Sequence, residues 1–324
     1  MRSPKVTIFM AVYNGERYIR QAIDSALKQT FRDFELLVVD DGSTDNSIAI
    51  VNEYADDRVR VLQNESNLGL FLTRNRGVME ARGEYFATLD CDDIAPAERL
   101  ETQLKYFRDY PDCAMCGGRI KYIDERSAVI GKFSALKGDE GYLKSLLLFT
   151  NIFSNSATMI DISVLRELQY RKGYEPAEDY DLFERVAATH QIGFINRFLS
   201  YYRVHDNNIS TIKSQNRKRA EREIIERQLQ RYGFKYSADD LLFHLAFTTA
   251  EFDFEKHKVK EYAAWLNNLR SQNKTNRAFN EQSFELALMK QWLRLCMNRF
   301  KTSHDLRPFL EAGMVSYRNL YKLI

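Results

Sequence analysis

The chain has 324 residues and a mass of 38.0 kDa, which suffices for about two domains or for one large domain with an appendage. Hydrophobic residues make up 44% of it and charged residues 28%, as in globular proteins and unlike disordered or fibrous ones. The formal charge of +2 argues against nucleic acid as the main partner, and no apolar run is long enough to span a bilayer.

The cysteines and the N-terminus together predict a cytoplasmic protein. The chain has four cysteines, and only Cys113 and Cys116 have a suggestive spacing. A zinc site would need a second Cys/His pair, so these two are predicted to be small apolar residues of a buried strand, with a redox pair as the alternative. Residues 1–5 lead into a strand pattern without the features of a signal peptide.

The first ninety residues alternate between strand and helix patterns. Strands are predicted at Val6–Val12, Phe34–Val39, Val59–Gln63 and Tyr85–Leu89. Helices are predicted from Glu16 to Leu27, near Asn46–Tyr54 and over Leu72–Ala81. Strand, helix and strand in so few residues imply a parallel sheet, so the four carboxyl ends meet at one edge.

Acidic residues collect at that predicted edge. They are Asp40, Asp41, Asp90, Asp92 and Asp93. Self-repulsion disfavours such a cluster unless a cation or hydrogen-bond donors compensate it, and an Asp-x-Asp pair presents two oxygen donors on one side of the chain. The alternative is an acidic turn that caps the next helix, whose first turn would contain Pro96.

The second half of the chain adds three candidate residues. A helix is predicted over Ala97–Tyr110, a strand over Cys113–Ile123, a helix over Leu143–Leu148 and strands at Ala157–Ile160, Ile192–Ile195 and Leu199–Val204. Glu178 and Asp179 precede a short amphipathic helix, where they either cap the helix or carry chemistry. His205 follows the last strand and opens a polar loop.

Beyond residue 210 the pattern becomes helical. Helices are predicted at Asn216–Tyr232, Asp240–Phe252, Lys258–Leu269 and Phe284–Phe300. We therefore predict a catalytic domain over residues 1–212 and a helical region over 213–324. The last helix carries Trp292 between Lys290 and Arg294, which suits an anionic membrane surface holding a lipid-linked acceptor; packing on the catalytic domain or on a second subunit is the alternative.

The ordered set of motifs resembles glycosyltransferase family 2, whose members have the GT-A fold. The matching stretches are Val6–Gly15, Val38–Asp45, Asn67–Gly69, Gly83–Tyr85, Asp90–Asp93, Glu178-Asp179 and Tyr202–His205. Within the family, Asn155–Ile160 and His205–Ser210 resemble bacterial enzymes that extend lipopolysaccharide or lipooligosaccharide, including β-1,3-N-acetylglucosaminyltransferases. The implied fold is α/β, with a mostly parallel sheet, flanking helices and a helical C-terminal region.

The resemblance also implies a role for each candidate residue. Tyr13 would flank the nucleobase of a UDP-sugar, Asp41 would bind the uracil edge, and Asp90 would contact the ribose or the metal shell. Asp92 and His205 would hold Mn²⁺ or Mg²⁺ at the donor diphosphate. Arg74 and Arg203 would meet the phosphates; for Arg203 the alternative is a position within a strand, paired with an acid of the core. Asp179 would be the general base for an acceptor hydroxyl, with Glu178 beside it, and one base facing one leaving group implies inversion.

Three classes of function remain as alternatives. The preferred hypothesis is sugar transfer to a glycan or lipid-linked glycan in bacterial surface polysaccharide synthesis, at the cytoplasmic face of the inner membrane or free in the cytoplasm, by a monomer or a homo-oligomer. A sugar nucleotidyltransferase would also bind a nucleotide and a metal at strand ends. A non-catalytic nucleotide-sugar-binding assembly subunit is the third. A dehydrogenase is excluded because no Gly-x-Gly-x-x-Gly follows the first strand.

Overall fold

The structure, a computed structural model, describes residues 3–133, 135–136, 138–206, 208 and 214–303. The chain divides into two compact units. The first comprises Met1–Leu136 and Phe153–Arg217, and the second comprises Lys137–Ile152 and Lys218–Ile324. The predicted domain boundary at residues 212 and 213 lies outside the described residues and stays a prediction.

The first unit is built on a mixed sheet whose first four sequential strands are parallel. These are β1 (Val6–Val12), β2 (Phe34–Asp40), β3 (Val59–Gln63) and β4 (Tyr85–Thr88). β1 lies between β2 and β4, and β3 pairs with the far side of β2. β1 and β2 are almost wholly buried, which explains why their sequences are continuous apolar runs rather than alternating ones.

The remaining strands extend the same sheet. They are β5 (Cys113–Ile123), β6 (Val129–Lys132), β7 (Met159–Asp161) and β8 (Gln191–Arg203). β7 runs antiparallel between β4 and β5, β6 is antiparallel to β5, and β8 is parallel to β5. The strand β6 was not predicted, because two of its four residues are exposed valine and isoleucine with no alternation to mark them.

The two strands predicted at 192–195 and 199–204 are wrong, since β8 is one strand. Its register against β5 passes from Gly118↔Ile195 to Arg119↔Phe198, so Asn196 and Arg197 form a bulge. The Asn196 side chain is bonded there to both the N–H and the carbonyl of Leu136, at 3.0 and 2.7 Å. The gap between the two predicted strands is therefore a bulge within one continuous strand.

Helices α1 (Ile19–Leu27), α2 (Ser47–Asn52), α3 (Leu70–Glu80) and α4 (Arg99–Asp109) connect the strands of the first unit, and α6 (Ile162–Leu168) and α7 (Glu178–Thr189) follow later in the chain. α3 lies close to β1 because residue 77 is glycine: a Cβ there would lie 2.0 Å from Cε2 of Phe9. α6 was not predicted, and α7 begins at Glu178 itself, with Ala177 as the N-cap residue.

The second unit is helical. It contains α5 (Glu140–Leu147), α8 (Ser214–Arg231, which begins at the end of the first unit), α9 (Ala238–Thr249), α10 (Val259–Asn276) and α11 (Glu281–Ser303). Trp292 is 1% exposed, so its ring is enclosed by protein. Within the described residues, no helix is long and apolar enough to cross a membrane.

Candidate active site

The loops after β1 and β2 are bonded to each other at the carboxyl edge of the sheet. The Asn14 N–H donates to Ser43 Oγ at 2.9 Å, and the Thr44 N–H donates to Asn14 Oδ1 at 2.9 Å. Asn14 has a positive φ of 53°, a conformation that asparagine tolerates better than most residues. Tyr13, directly before it, is half exposed, so its ring is available for a flat ligand.

Asp41 is buried and organises the loop between β3 and α3. Its Oδ1 accepts hydrogen bonds from Asn64 Nδ2 at 2.7 Å and from the Leu68 N–H at 2.9 Å, and its Oδ2 accepts one from the Gly69 N–H at 2.9 Å. A carboxylate has about four lone-pair sites, so one acceptor position remains for another donor. Asn64 was not among the residues predicted from the sequence.

Asp90 follows β4 and is held by two consecutive residues before β7. Asn155 Nδ2 donates to its Oδ1 at 2.8 Å, and Ser156 Oγ donates to its Oδ2 at 3.0 Å. Its side chain is about one-third exposed. Desolvation raises the pKa of Asp90 above its usual value, against the opposing effect of the Arg74 charge. No role was predicted for Asn155 or Ser156, because their contacts with Asp90 span 65 and 66 residues.

Asp92 and His205, the two residues expected from the family resemblance to hold a metal ion, lie in contact. His205 Nε2 lies 2.9 Å from Asp92 Oδ2, and the His205 N–H donates to Asn208 Oδ1 at 2.6 Å. The ring of His205 also lies beside that of Tyr18, with 5.3 Å between their centroids. The predicted loop continues through residues 207, 209 and 210, which lie outside the described part of the chain.

Arg203 is fully buried, and its hydrogen bonds hold the backbone next to this site. Its Nε donates to the Asp92 carbonyl at 2.8 Å, its Nη1 to the Asp124 carbonyl at 2.9 Å, and its Nη2 to Gln21 Oε1 at 2.8 Å. Its backbone N–H donates to Asp93 Oδ1 at 2.8 Å. These contacts occupy most of its donors, so the geometry favours a positioning role over the phosphate contact predicted for it.

Arg74, on α3, contacts both the acid that follows β4 and the acid that begins α7. Its Nη1 lies 2.5 Å from Glu178 Oε1, and its Nη2 lies 3.7 Å from Asp90 Oδ1. Arg74 and Glu178 are both almost completely buried, whereas Asp90 is partly open to solvent. Glu178 thus forms a buried ion pair, and its other oxygen, Oε2, is buried with no hydrogen-bond partner in the described part of the chain.

Asp179 is the more accessible of the two acids at the start of α7. Its Oδ1 accepts a hydrogen bond from the Tyr180 N–H at 2.7 Å. Desolvation raises the pKa of Asp179, while the positive charges of Arg74 and, more weakly, Arg217 oppose that rise. A carboxylate at a helix N-terminus whose pKa lies above the usual value is suited to accept a proton. The proximity of Arg217 was not predicted.

The structure therefore brings most of the predicted site residues to one edge of the sheet. Contacts or charge interactions connect Arg74, Asp90, Asp92, Glu178, Asp179 and His205. Tyr13 and Asp41 lie at the neighbouring strand ends. Arg203 is the exception, because its guanidinium is buried and bonded to other protein groups.

The donor set fits a hard divalent cation that is shared with a substrate. Within the described ranges, no group of three or more His, Cys, Asp and Glu side chains is arranged to hold a metal ion alone. Asp92 and His205 would supply one carboxylate oxygen and one imidazole nitrogen. Mg²⁺ and similar ions are commonly held by one or two carboxylates together with substrate phosphates and water, so two protein ligands are consistent with such a site.

Comparison with known proteins identifies the class. The profile described as Glycosyl transferase family 2 matches residues 7–168. An uncharacterized glycosyltransferase of Methanocaldococcus jannaschii is 33% identical over 222 residues, which are 66% of this chain and 77% of that protein. The Escherichia coli protein named UDP-Glc:alpha-D-GlcNAc-diphosphoundecaprenol beta-1,3-glucosyltransferase WfgD is 31% identical over 221 residues, 66% of this chain and 83% of that protein.

Two solved structures share the fold. One is S. aureus TarS 1–349 in complex with UDP-GlcNAc, with a TM-score of 0.60, 19% identity, and coverage of 97% of this chain and 92% of that one. The other is the mannosyltransferase PcManGT from Pyrobaculum calidifontis in complex with GDP-Man and Mn²⁺, with a TM-score of 0.55, 15% identity, and coverage of 91% and 88%.

The mixed sheet with acidic residues at its carboxyl edge is thus the GT-A fold of glycosyltransferases. The chain belongs to glycosyltransferase family 2, and it is a glycosyltransferase. This finding selects the enzyme over the nucleotidyltransferase and over the non-catalytic subunit, and it confirms the resemblance stated from the motifs.

Proposed function

We propose that this enzyme transfers a sugar from a UDP-sugar to a hydroxyl of a glycan or lipid-linked glycan, with inversion at the anomeric carbon. The observation that carries the proposal is the position of Arg74 between two acids, with Glu178 at 2.5 Å and Asp90 at 3.7 Å. In this proposal the nucleotide-sugar donor binds beside Asp90, and the acceptor hydroxyl binds beside the start of α7. Both substrates therefore bind next to acidic groups at the same edge of the sheet.

Uridine is the preferred nucleoside for the donor. Tyr13 offers a half-exposed ring, and the buried Asp41 carboxylate retains one acceptor position that would take the N–H of a uracil edge. The names of two similar proteins agree, since WfgD is named for UDP-Glc and TarS was solved with UDP-GlcNAc. The candidate donor sugars are glucose, galactose, N-acetylglucosamine and N-acetylgalactosamine.

We further propose that Asp92 and His205 hold Mn²⁺ or Mg²⁺ beside the donor diphosphate. When bound, the cation neutralises the charge that develops on the departing nucleoside diphosphate. The chain's own contribution is to keep the two ligands 2.9 Å apart and to fix the Asp92 backbone through the Arg203 side chain. PcManGT, which shares the fold, was solved with Mn²⁺.

Asp179 is proposed as the base that removes the proton from the acceptor hydroxyl. The deprotonated oxygen attacks the anomeric carbon as the bond to the diphosphate breaks, so an α-linked donor gives a β-linked product in one displacement. Glu178 is less suited to this step, because its charge is committed to Arg74 inside the protein. Its proposed function is to hold Arg74 in place.

The acceptor is proposed to be a growing bacterial surface polysaccharide on a lipid carrier. The support is the name of WfgD, whose acceptor is a diphosphoundecaprenol-linked sugar. A lipid-linked acceptor would bring the enzyme to the cytoplasmic face of the inner membrane as a peripheral protein. Cosedimentation with anionic liposomes tests this part separately, and a protein that stays in the supernatant would contradict it.

A panel of UDP-, GDP- and dTDP-sugars tests the donor proposal. We expect thermal stabilisation and slow metal-dependent hydrolysis with UDP-sugars. Binding that stabilises the folded state raises the melting temperature by mass action, so the panel needs no acceptor. Stabilisation by GDP-sugars alone, or by nucleoside triphosphates but no sugar nucleotide, would contradict the proposal.

Replacing Asp179 with asparagine tests the base. Asp179→Asn should lower the transfer rate by about 100- to 10,000-fold, the usual contribution of a general base, while the UDP dissociation constant changes little. Calorimetry with UDP and a transfer assay measure the two quantities. Glu167→Gln, an exposed acid on α6, is the matched control and should leave both unchanged. Persistent transfer in Asp179→Asn would show that another group is the base.

A further inference from the structure

Tyr18 is a buried aromatic residue in the active-site region to which no role has been given. It is the N-cap residue of α1, and it is 7% exposed. Its ring centroid lies 5.3 Å from that of His205, and the Cζ of Arg203 lies 4.4 Å from it. The ring therefore contacts one proposed metal ligand and the arginine that fixes the backbone of the other.

The hydroxyl of Tyr18 does not explain its presence. Among the residues that the structure describes, this buried oxygen has no hydrogen-bond partner. A buried hydroxyl without a partner costs free energy that phenylalanine would avoid. The value of the residue at this position must therefore lie either in its ring or in a bond that the hydroxyl makes to a ligand.

The contacts favour the ring. Arg203 donates to the Asp92 carbonyl at 2.8 Å, and His205 Nε2 lies 2.9 Å from the Asp92 carboxylate. Tyr18 packs on both of these side chains, so it limits the orientations available to each. Without the ring, the imidazole would have room to rotate away from Asp92, and the guanidinium would lose a face-on aromatic contact.

We propose that Tyr18 is a positioning residue for the metal and diphosphate site: its ring holds His205 against Asp92 and keeps Arg203 under the Asp92 backbone. This inference rests on the proposed function of Asp92 and His205. Groups that orient metal ligands affect the affinity for the metal although they do not touch it. The start of α1 thereby becomes part of the site, through Tyr18 in addition to the bond between Gln21 and Arg203.

The test measures Mn²⁺ binding rather than turnover. Free Mn²⁺ is followed by electron paramagnetic resonance as the ion is added to full-length protein saturated with UDP. Tyr18→Phe keeps the ring and removes the hydroxyl, whereas Tyr18→Leu removes both. Tyr85→Leu is the matched control, because Tyr85 stacks on Phe107 at 4.5 Å and begins β4, at the opposite end of that strand from Asp90. Asp92→Ala supplies the reference for a lost ligand.

We expect Tyr18→Leu to weaken Mn²⁺ binding by about tenfold to 100-fold, the range found for groups that orient ligands. Tyr18→Phe should bind Mn²⁺ within about threefold of the wild type, since the contacts that position His205 remain. Tyr85→Leu should lower the melting temperature without changing Mn²⁺ affinity. If Tyr18→Leu does not fold, Tyr18→Met, whose flexible apolar chain fills the same space without a ring, takes its place.

Three other results of the Mn²⁺ titrations would contradict the inference, each at a different step. Equal losses in Tyr18→Phe and Tyr18→Leu would show that the hydroxyl contacts the ligand directly, against a positioning role of the ring. Unchanged Mn²⁺ binding in Tyr18→Leu, with binding lost in Asp92→Ala, would overturn this inference alone. Absence of Mn²⁺ binding by the wild type with UDP would overturn the proposed metal site and this inference with it.

Discussion

Among the charged groups around Asp90, Glu178 and Asp179, Arg74 has the largest effect on their pKa values. Its charge opposes the desolvation that raises the pKa values of Asp90, Glu178 and Asp179. Desolvation dominates in each case, so each acid ionises at a higher pH than usual. Asp179 accepts a proton only when ionised, and transfer should therefore be lost as the pH falls through this raised value.

Removing the Arg74 charge should move that loss to a higher pH. In Arg74→Gln the pKa of Asp179 loses its main lowering influence, and a cation within about 4–6 Å typically lowers an Asp pKa by one to three units. We expect the acidic limb of the kcat profile to shift upward by about one pH unit or more. A pH series of initial rates at saturating donor and acceptor measures it.

Arg74→Lys is the control for this shift. It keeps the positive charge but not the planar contact with Glu178, so its kcat should fall while its acidic limb stays near that of the wild type. Arg74→Gln should also be less stable, because Glu178 is left as an unpaired acid in the interior. An unmoved limb in Arg74→Gln would show that Asp179 does not set it.

The sequence predicted which residues are in the site better than what they contact. Asp90, Asp92 and Asp179 could be found because they follow strands or begin a helix in a recognisable order. The contacts of Asn155 with Asp90 and of Tyr18 with His205 could not be found, because each joins residues that are far apart in the chain. Arg203 shows the same limit: the pattern placed it within a strand, but its burial depends on the loops that pack around it.

At the scale of elements, strands and helices with strong apolar periodicity were predicted close to their observed bounds. β1 and β3 were placed correctly, as was β5. Two strands were predicted incorrectly. The strand β8 was divided in two at the bulge of residues 196 and 197, and the exposed strand β6 was missed because its sequence has no alternating pattern. Such features depend on side-chain partners in other elements, which a local pattern does not contain.

α5, α9 and α10 meet around one buried histidine. His244 Nε2 bonds to the Leu148 carbonyl at 2.8 Å, and Trp265 Nε1 donates to His244 Nδ1 at 3.2 Å. The ring also stacks on Phe149 with 4.7 Å between centroids. An Nδ1 that accepts and an Nε2 that donates define the neutral tautomer. Burial lowers the pKa of His244 to about 4, from an ordinary value of 6.5.

The second unit should therefore lose stability as the pH falls from about 6.5 towards 4. Over that range the unfolded chain binds a proton at this histidine and the folded chain does not, so acid favours unfolding, by up to about 3 kcal/mol. Urea unfolding followed by tryptophan fluorescence measures it. The chain's two tryptophans, Trp265 and Trp292, are both buried in this unit.

His244→Gln isolates this contribution. Its amide can still donate to the Leu148 carbonyl, but it does not titrate, so the variant should be less stable at pH 7 and less sensitive to acid. His190→Gln, in the first unit, should leave the tryptophan-detected slope unchanged. An equal slope in the wild type and in His244→Gln would mean that other groups cause the acid sensitivity.

At the scale of the whole molecule, the second unit contains two separate pieces of the chain. The sequence suggested a helical region that begins near residue 213, yet residues 137–152 also group with it. α5 has an apolar face whose Leu143 and Leu146 are buried, and Ser283 Oγ of α11 donates to Asp139 at its N-terminus at 2.8 Å. Gln228 of α8 donates to the Leu147 carbonyl at 3.2 Å.

A chain that ends at Arg217 should consequently not behave as an independent catalytic domain. It would keep α5 but lose the helices that cover the buried side chains of Leu143, Leu146 and Leu147. An exposed apolar patch of this kind promotes association. We expect the truncated protein to aggregate in size-exclusion chromatography and to increase the fluorescence of 1-anilinonaphthalene-8-sulfonate.

Replacing these three leucines with serine distinguishes exposure of an apolar patch from general misfolding as the cause of aggregation. In the truncated chain the triple substitution removes the exposed patch, so it should restore a monomer with low dye fluorescence. In the full-length chain the same substitution removes buried apolar groups, each worth about 2–5 kcal/mol, and should destabilise the second unit. The substitution improves the truncated chain and destabilises the full-length chain only if α5 packs with the C-terminal helices. A truncated chain that is monomeric without any substitution would place α5 with the sheet and return the boundary to residues 212 and 213.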